Sequence, residues 1–257
     1  MTQRVAFISG GGSGLGKATV LTLLDDGWSV AFTYYQSEQG AESIVNLAAG
    51  TGREVLPIRA NLLEQAAAHH AATSALQHFG QVDAFVHNFG PFVFERKRLA
   101  EYSDDEFEEM FTGNLRSFWW LYRVLVPSMR ERGFGRIVTL GSEGAGMAVG
   151  WGGRAPYAAA KAGLASLTRS VAREEREFGV TANMVCPGDV RGKKKELLQN
   201  EADAALPERT PVGGDVARVV SFYCQPASHQ LNGTVTEVNG GTDVRFLDEH
   251  SGQDEDG

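Results

Sequence analysis

Cysteine is nearly absent from this sequence. Cys186 and Cys224 are the two in 257 residues, with neither the paired spacing of a zinc site nor the density of a disulfide framework. Both are expected as buried thiols, and no metal site is expected. Also missing is any stretch of the roughly 18 apolar residues that a bilayer span requires. Met1 to Gly14 leads straight into a strand and a glycine turn rather than a basic, cleavable leader, so the expected location is cytoplasmic. There is no basic stripe: 24 Lys and Arg face 32 Asp and Glu, a formal charge of −8, which argues against nucleic acid as the main partner. Part of that acidity lies in residues 248–257, which have few apolar side chains and read as a disordered tail. Residues 1–247 read as one domain, since no repeat, linker or composition break divides them and a hydrophobic content of 42% suffices for one core.

What is present is alternation. Short apolar or β-branched runs occur at Val5–Ile8, Val30–Thr33, Val55–Ile58, Val82–Val86, Ile137–Leu140 and Thr181–Val185. Between them lie segments of helical period, such as Lys17–Asp26 with Val20, Leu21 and Leu24 on one face and Gly27 as a stop. Strands apolar on both faces, each followed by a crossing helix, predict an α/β fold: a single-domain, Rossmann-type, doubly wound parallel sheet with helices on both faces. The longest helical pattern spans Asp104–Arg132, opened by Ser103 with Glu106 three residues on. Its apolar residues wrap most of the circumference, which predicts contact with a second subunit as well as with the sheet.

Ser9-Gly10-Gly11-Gly12-Ser13-Gly14-Leu15-Gly16 separates the first strand from the first helix. An open α/β sheet holds a dinucleotide pyrophosphate there, against backbone N–H groups and the positive end of a helix. Glycine clusters also serve as plain turns, and this spacing differs from G-x-G-x-x-G. After the second strand come Thr33, Tyr34, Tyr35, Gln36 and Ser37. No carboxylate stands there to bind a ribose 2′-OH and repel a 2′-phosphate, so NADP(H) is favoured over NAD(H).

Tyr157 and Lys161 lie at i and i+4 on one helix face. A phenol with a pKa of about 10 is a poor acid–base group at neutral pH, and a neighbouring ammonium favours its phenolate. Ser142 closes the preceding strand at the carboxyl edge, where such sheets bind ligands. Asn114 is an amide on the long apolar helix. Each alone has a bland reading as packing, cap or solvated charge; their order behind a strand, glycine turn and helix favours a site.

Together these residues resemble the short-chain dehydrogenase/reductase family, and the likeness covers Gln3 to Val244. The Ser9–Gly16 turn is similar to its T-G-x-x-x-G-x-G signature with Ser for Thr, and His87-Asn88-Phe89-Gly90 to its N-N-A-G element. Asn114, Ser142, Tyr157 and Lys161 fall on its catalytic tetrad, with Pro187-Gly188 and Asn239-Gly240-Gly241 on later markers. The resemblance implies that Tyr157 protonates a carbonyl oxygen as hydride arrives. It implies further that Lys161 lowers the tyrosine pKa and holds the nicotinamide ribose, that Ser142 polarises the carbonyl, and that Asn114 anchors a relay water. By the same likeness the cofactor is held by Ser9, Gly10, Gly12, Ser13, Gly14, Leu15, Gly16, Thr33, Tyr34, Tyr35, Asn61, Leu62, Asn88, Phe89, Gly90, Tyr157, Lys161, Pro187, Gly188 and Val190.

The nearest likeness is to 3-oxoacyl-acyl-carrier-protein reductases and related bacterial ketoreductases. It implies a small or carrier-bound carbonyl substrate and a homodimer or homotetramer. Ser142 and Tyr157 are 15 positions apart, about two more than those reductases show, which predicts a longer Glu143–Pro156 loop beside the substrate. Phe92, Phe94, Met147 and Trp151 are candidate substrate contacts, with Trp151 foremost. The Lys193–Lys195 run either guides an anionic substrate or is simply solvated. Oxidation of an alcohol or sugar by the same residues, and a non-catalytic redox sensor, are the competing functions.

Overall fold

In the computed structural model, which describes residues 3–198 and 211–241, the apolar runs become strands. They are β1 (Val5–Ser9), β2 (Ser29–Tyr34), β3 (Val55–Arg59), β4 (Ala84–His87), β5 (Gly135–Leu140) and β6 (Val180–Pro187). A seventh, β7 (Val235–Val238), is not among the runs expected from sequence. It is one of the two edge strands and only partly buried, and its Val-Thr-Glu-Val alternation, with a carboxylate in the run, gives a weaker apolar signal than a central strand does. The sheet order is β3-β2-β1-β4-β5-β6-β7, with every neighbouring pair parallel.

Successive strand residues point to opposite faces, and two cores result. Phe7, Phe85, Ile137 and Ala182 pack against α3 (Gln65–Phe79), α5 (Ser117–Arg132) and α6 (Ala155–Glu174). Ile8, Phe32, Val86 and Val138 pack against α1 (Gly14–Asp25), α2 (Glu38–Ala48) and α7 (Gly213–Cys224). This is the doubly wound, single-domain Rossmann-type arrangement. The chain leaves β1 toward β2 and β3, then returns to the other side of β1 as β4, and that reversal opens a crevice at the carboxyl ends of β1 and β4.

The long helical pattern divides in two. The expected cap is present at the start of α4 (Asp104–Phe111): Ser103 Oγ accepts the Glu106 N–H at 3.2 Å, and the Glu106 carboxylate accepts the Ser103 N–H at 2.9 Å. Between α4 and α5, Thr112–Arg116 form a π-helical turn. A Cβ at Gly113 would run into the Pro91 ring, so glycine lets this turn lie against the loop after β4 and brings Asn114 inward, fully buried. Both cysteines are free and buried, and no helix among the described residues is long and apolar enough to cross a membrane. The proposed boundary at 247 and the acidic tail lie outside the described residues.

Candidate active site

The glycine turn is built by hydrogen bonds that tie three strands together. Thr33, from β2, accepts the Gly10 N–H on its Oγ1 at 2.9 Å and the Gly11 N–H on its carbonyl at 2.8 Å. Ser9 Oγ accepts the N–H groups of Asn88 and Phe89 at 3.1 and 3.0 Å. The Asn88 amide donates to the Ser9 and Gly10 carbonyls at 3.2 and 2.8 Å. A Cβ at Gly16 would collide with the Gly10 carbonyl oxygen, so only glycine lets α1 start this close to the turn.

A cleft of about 1240 Å³ runs along the carboxyl edge of the sheet. Gly10, Ser13, Gly14, Leu15, Tyr34, Tyr35, Asn61, Asn88, Phe89 and Gly90 line one part of it, and Ser142, Tyr157, Lys161, Pro187, Gly188 and Val190 another. Ser9, Thr33, Gly12 and Gly16 are not in its lining; the first two hold the turn from behind, and Gly12 packs against Ser37 and Tyr34. Leu62 is in the core, and Leu63 faces the cleft in its place. Phe92, Phe94 and Trp151 line the cleft, while Met147 stands outside its lining and is 71% exposed.

Asn114 is completely buried, its Nδ2 donating to the carbonyls of Pro91 and Met110 at 2.9 and 3.0 Å. Its Oδ1 has no hydrogen-bond partner. A Cβ at Gly90 would strike that oxygen and stand 3.2 Å from Lys161 Nζ, so the missing side chain at 90 leaves Asn114 and Lys161 flanking one small space. Lys161 Nζ donates to the Leu140 carbonyl at 2.7 Å, and burial brings its pKa down to about 8. The Tyr157 phenol moves the other way: burial, with a smaller contribution from Cys186, raises it above the ordinary phenol value. The expected lowering by Lys161 is therefore not what this geometry gives. The ammonium is 5.7 Å from the tyrosine ring centroid and bonds a backbone carbonyl, so desolvation outweighs its field at the phenol.

The sequence profile of the family described as Enoyl-(Acyl carrier protein) reductase matches residues 10–243. The chain belongs to the short-chain dehydrogenase/reductase family. The Bacillus subtilis protein YtkK, provisionally named an oxidoreductase, is 41% identical over 94% of this chain and 97% of its own length. The 3-oxoacyl-[acyl-carrier-protein] reductase FabG of Escherichia coli is 30% identical over 93% and 96%. Among solved structures, a Bacillus thuringiensis protein provisionally called a 3-oxoacyl-reductase superposes with a TM-score of 0.89 at 41% identity, covering 95% of this chain and 99% of that one. A blue fluorescent protein from a metagenomic library, solved with NADPH, gives a TM-score of 0.80 at 32% identity over 93% and 97%.

Around this short-chain dehydrogenase/reductase cleft, three residues make contacts that sequence reasoning did not foresee; Arg154 lines the cleft, and His87 and Glu196 lie outside its lining. His87, completely buried, meets Ser9 Oγ with its Nδ1 at 3.2 Å. Glu196 accepts the Gly14 N–H at 3.0 Å and pairs with Lys17 at 3.0 Å. Arg154 donates to the carbonyls of Val93, Phe94 and Glu95. Contacts across 59 to 182 positions leave no periodicity or spacing to read. His87 and Arg154 do carry one faint signal, a titratable side chain beside a motif residue.

Proposed function

We propose that this protein is an NADPH-dependent reductase of a small or carrier-bound ketone, with Tyr157 as the proton donor. The observation that carries the reading is the junction of Ser142, Tyr157 and Lys161 with the glycine turn in one continuous cleft. The donor set suits a dinucleotide: backbone N–H groups at the start of α1, the Asn61 amide, and the hydroxyls of Tyr34 and Tyr35. Those last residues, with Gln36 and Ser37, present no carboxylate, which favours the phosphorylated cofactor.

Bound nicotinamide would supply the hydride. Ser142 donates a hydrogen bond to the carbonyl oxygen and polarises it, and Tyr157 gives that oxygen its proton as the carbon is reduced. A phenol held in its protonated form is the form a proton donor needs at this step. Lys161, with its pKa near 8, remains mainly cationic at neutral pH and stabilises the phenolate left behind. The unpartnered Asn114 Oδ1 beside it is placed to accept a hydrogen bond from a water that returns the proton. The free thiols of Cys186 and Cys224 suit a reducing, cytoplasmic setting.

The test is Tyr157→Phe. Titration with NADPH and separately with NADH, followed by nicotinamide fluorescence, is expected to give tighter NADPH binding in both proteins. Turnover of a ketone panel that includes a 3-oxoacyl thioester is expected to fall by about 10³-fold or more in the variant. Undiminished turnover in the variant, or failure of the wild type to bind either cofactor, contradicts the reading.

A further inference from the structure

We infer that Arg154 is a positioning residue that sets the shape, and with it the selectivity, of the substrate pocket by holding the Phe92–Glu95 segment against Tyr157. The inference rests on the reductase reading for what the pocket does, and on geometry alone for how it is built.

The backbone of Arg154 belongs to the catalytic helix. It is the N-cap of α6, three residues before Tyr157; its N–H donates to the Trp151 carbonyl and its carbonyl accepts the Ala158 N–H, both at 3.0 Å. Its side chain crosses to the opposite wall. Nη1 donates to the carbonyls of Val93 and Glu95, Nη2 to that of Phe94, and the guanidinium carbon lies 4.7 Å from the centroid of the Phe92 ring. The residue is 8% exposed.

Three consecutive carbonyls cannot point the same way in an extended segment, where they alternate. Here they converge because a planar cation with five donors stands at their centre. Neither helix nor strand covers residues 88–98, so this guanidinium supplies order that a ladder would otherwise give. One backbone bond, Lys97 N–H to the Gly153 carbonyl at 3.3 Å, and one from the Tyr102 hydroxyl to the same carbonyl at 3.2 Å reinforce the join.

The consequence is felt at Phe92. Fixed face-on by Arg154, its ring meets Tyr157 edge-on, with centroids 4.8 Å apart at 87°, and lies 6.2 Å from Trp151 and 5.2 Å from Phe94. A rigid aromatic wall beside the proton donor admits a compact, apolar flank on the ketone and excludes a bulky one. Arg154 touches none of the Asn114, Ser142, Tyr157 and Lys161 side chains in any hydrogen bond or ion pair among the described residues. Its influence therefore runs through Phe92.

The experiment compares wild type with Arg154→Met, which keeps an unbranched apolar stem but has no donors, and Arg154→Lys, which offers a point charge to the same carbonyls. In the Met variant, hydrogen exchange of amides 92–97 is expected to rise about tenfold or more while α6 is unchanged. KM for a compact ketone is expected to rise about tenfold with kcat within roughly threefold, the preference for compact over bulky ketones to shrink, and the NADPH Kd to stay within about twofold. Lysine is expected to restore part of each effect. Unchanged exchange at 92–97, or an unchanged compact-to-bulky ratio, overturns the proposal. Should the Met variant not fold, Phe92→Leu removes the wall while keeping Arg154, and an unaltered ketone preference there overturns it equally. A wild type inactive on every ketone sinks the reductase reading, whereas the exchange contrast still decides whether Arg154 orders the segment.

Discussion

Ser9 Oγ accepts two backbone N–H groups, from Asn88 and Phe89, which leaves its single hydrogen to be donated to Nδ1 of His87. The imidazole is then fixed as the Nε2–H tautomer. That N–H faces the backbone carbonyl of Asn114 without reaching hydrogen-bond geometry. Burial, with the Lys161 cation adding to it, lowers the His87 pKa from 6.5 to about 3. A depressed histidine pKa means that the unfolded chain binds a proton between about pH 6.5 and 3 that the native state does not, so the contribution is present above the unfolded pKa and is lost as pH falls through that window. Between pH 7 and 4.5 the loss amounts to about 2.5 kcal/mol. Urea unfolding at the two pH values is expected to show wild type losing that much more than His87→Asn, which accepts the Ser9 hydrogen but does not titrate; equal losses would show His87 protonated in the native protein. The position was visible in the sequence, because His87 opens the His87–Gly90 element directly after an apolar run. Its partner was not, since Ser9 is 78 residues away. The placement of Tyr157 and Lys161 was legible because i and i+4 share one helix face, while Ser142 lies two residues past the end of β5 rather than closing the strand.

The elements that position these residues were legible wherever burial imposed a period. Six strands, the α4 cap and the Gly27 stop follow from apolar runs and terminal residues. The π-turn did not show, because Gly113 and Asn114 fit the same hydrophobic spacing in an unbroken helix, and only the approach of Pro91 selects the wider turn. The start of α1 holds another unforeseen contact. Glu196 follows the short Gly192–Lys195 helical turn and places its carboxylate on the Gly14 N–H and on Lys17. A helix N-terminus attracts anions, and a diphosphate bound to the glycine turn would compete with this carboxylate. Glu196→Gln is therefore expected to lower the NADPH Kd about three- to fivefold, a modest gain because the carboxylate is 38% exposed and such pairs contribute about 1 kcal/mol or less. Fluorescence titration checks it, and weaker binding in the variant would mean that Glu196 supports the cofactor rather than competing with it.

At the scale of the whole molecule, the outer helices leave aromatic surface that a lone subunit does not use. Trp119 on α5 is 47% exposed, with Arg123 stacked 5.1 Å from its ring. Phe107 on α4 is 39% exposed and lies against Phe111, and Leu167 on α6 is 37% exposed. Tryptophan and arginine are the residues in which interface energy concentrates, and a stable contact buries on the order of 1,600 Å². The expected species is a homodimer or homotetramer joined through α4, α5 and α6. Light scattering on the wild type at micromolar concentration should give a mass at least twice that of the chain, and Trp119→Glu should shift it toward monomer with an unchanged circular dichroism spectrum. A monomeric wild type would contradict the assembly. Asn114 sits in the π-turn five residues before Trp119, so the turn that leads into the helix expected to meet a second subunit also carries the Asn114 proposed for the site. Dissociation would remove the packing that holds this turn, and the Trp119→Glu protein is expected to lose activity about tenfold while Tyr157 and its cofactor-binding edge stay intact. A monomeric variant with full activity would show instead that the turn is held by Pro91 and Met110 alone, through the two hydrogen bonds that the Asn114 amide already makes within its own subunit.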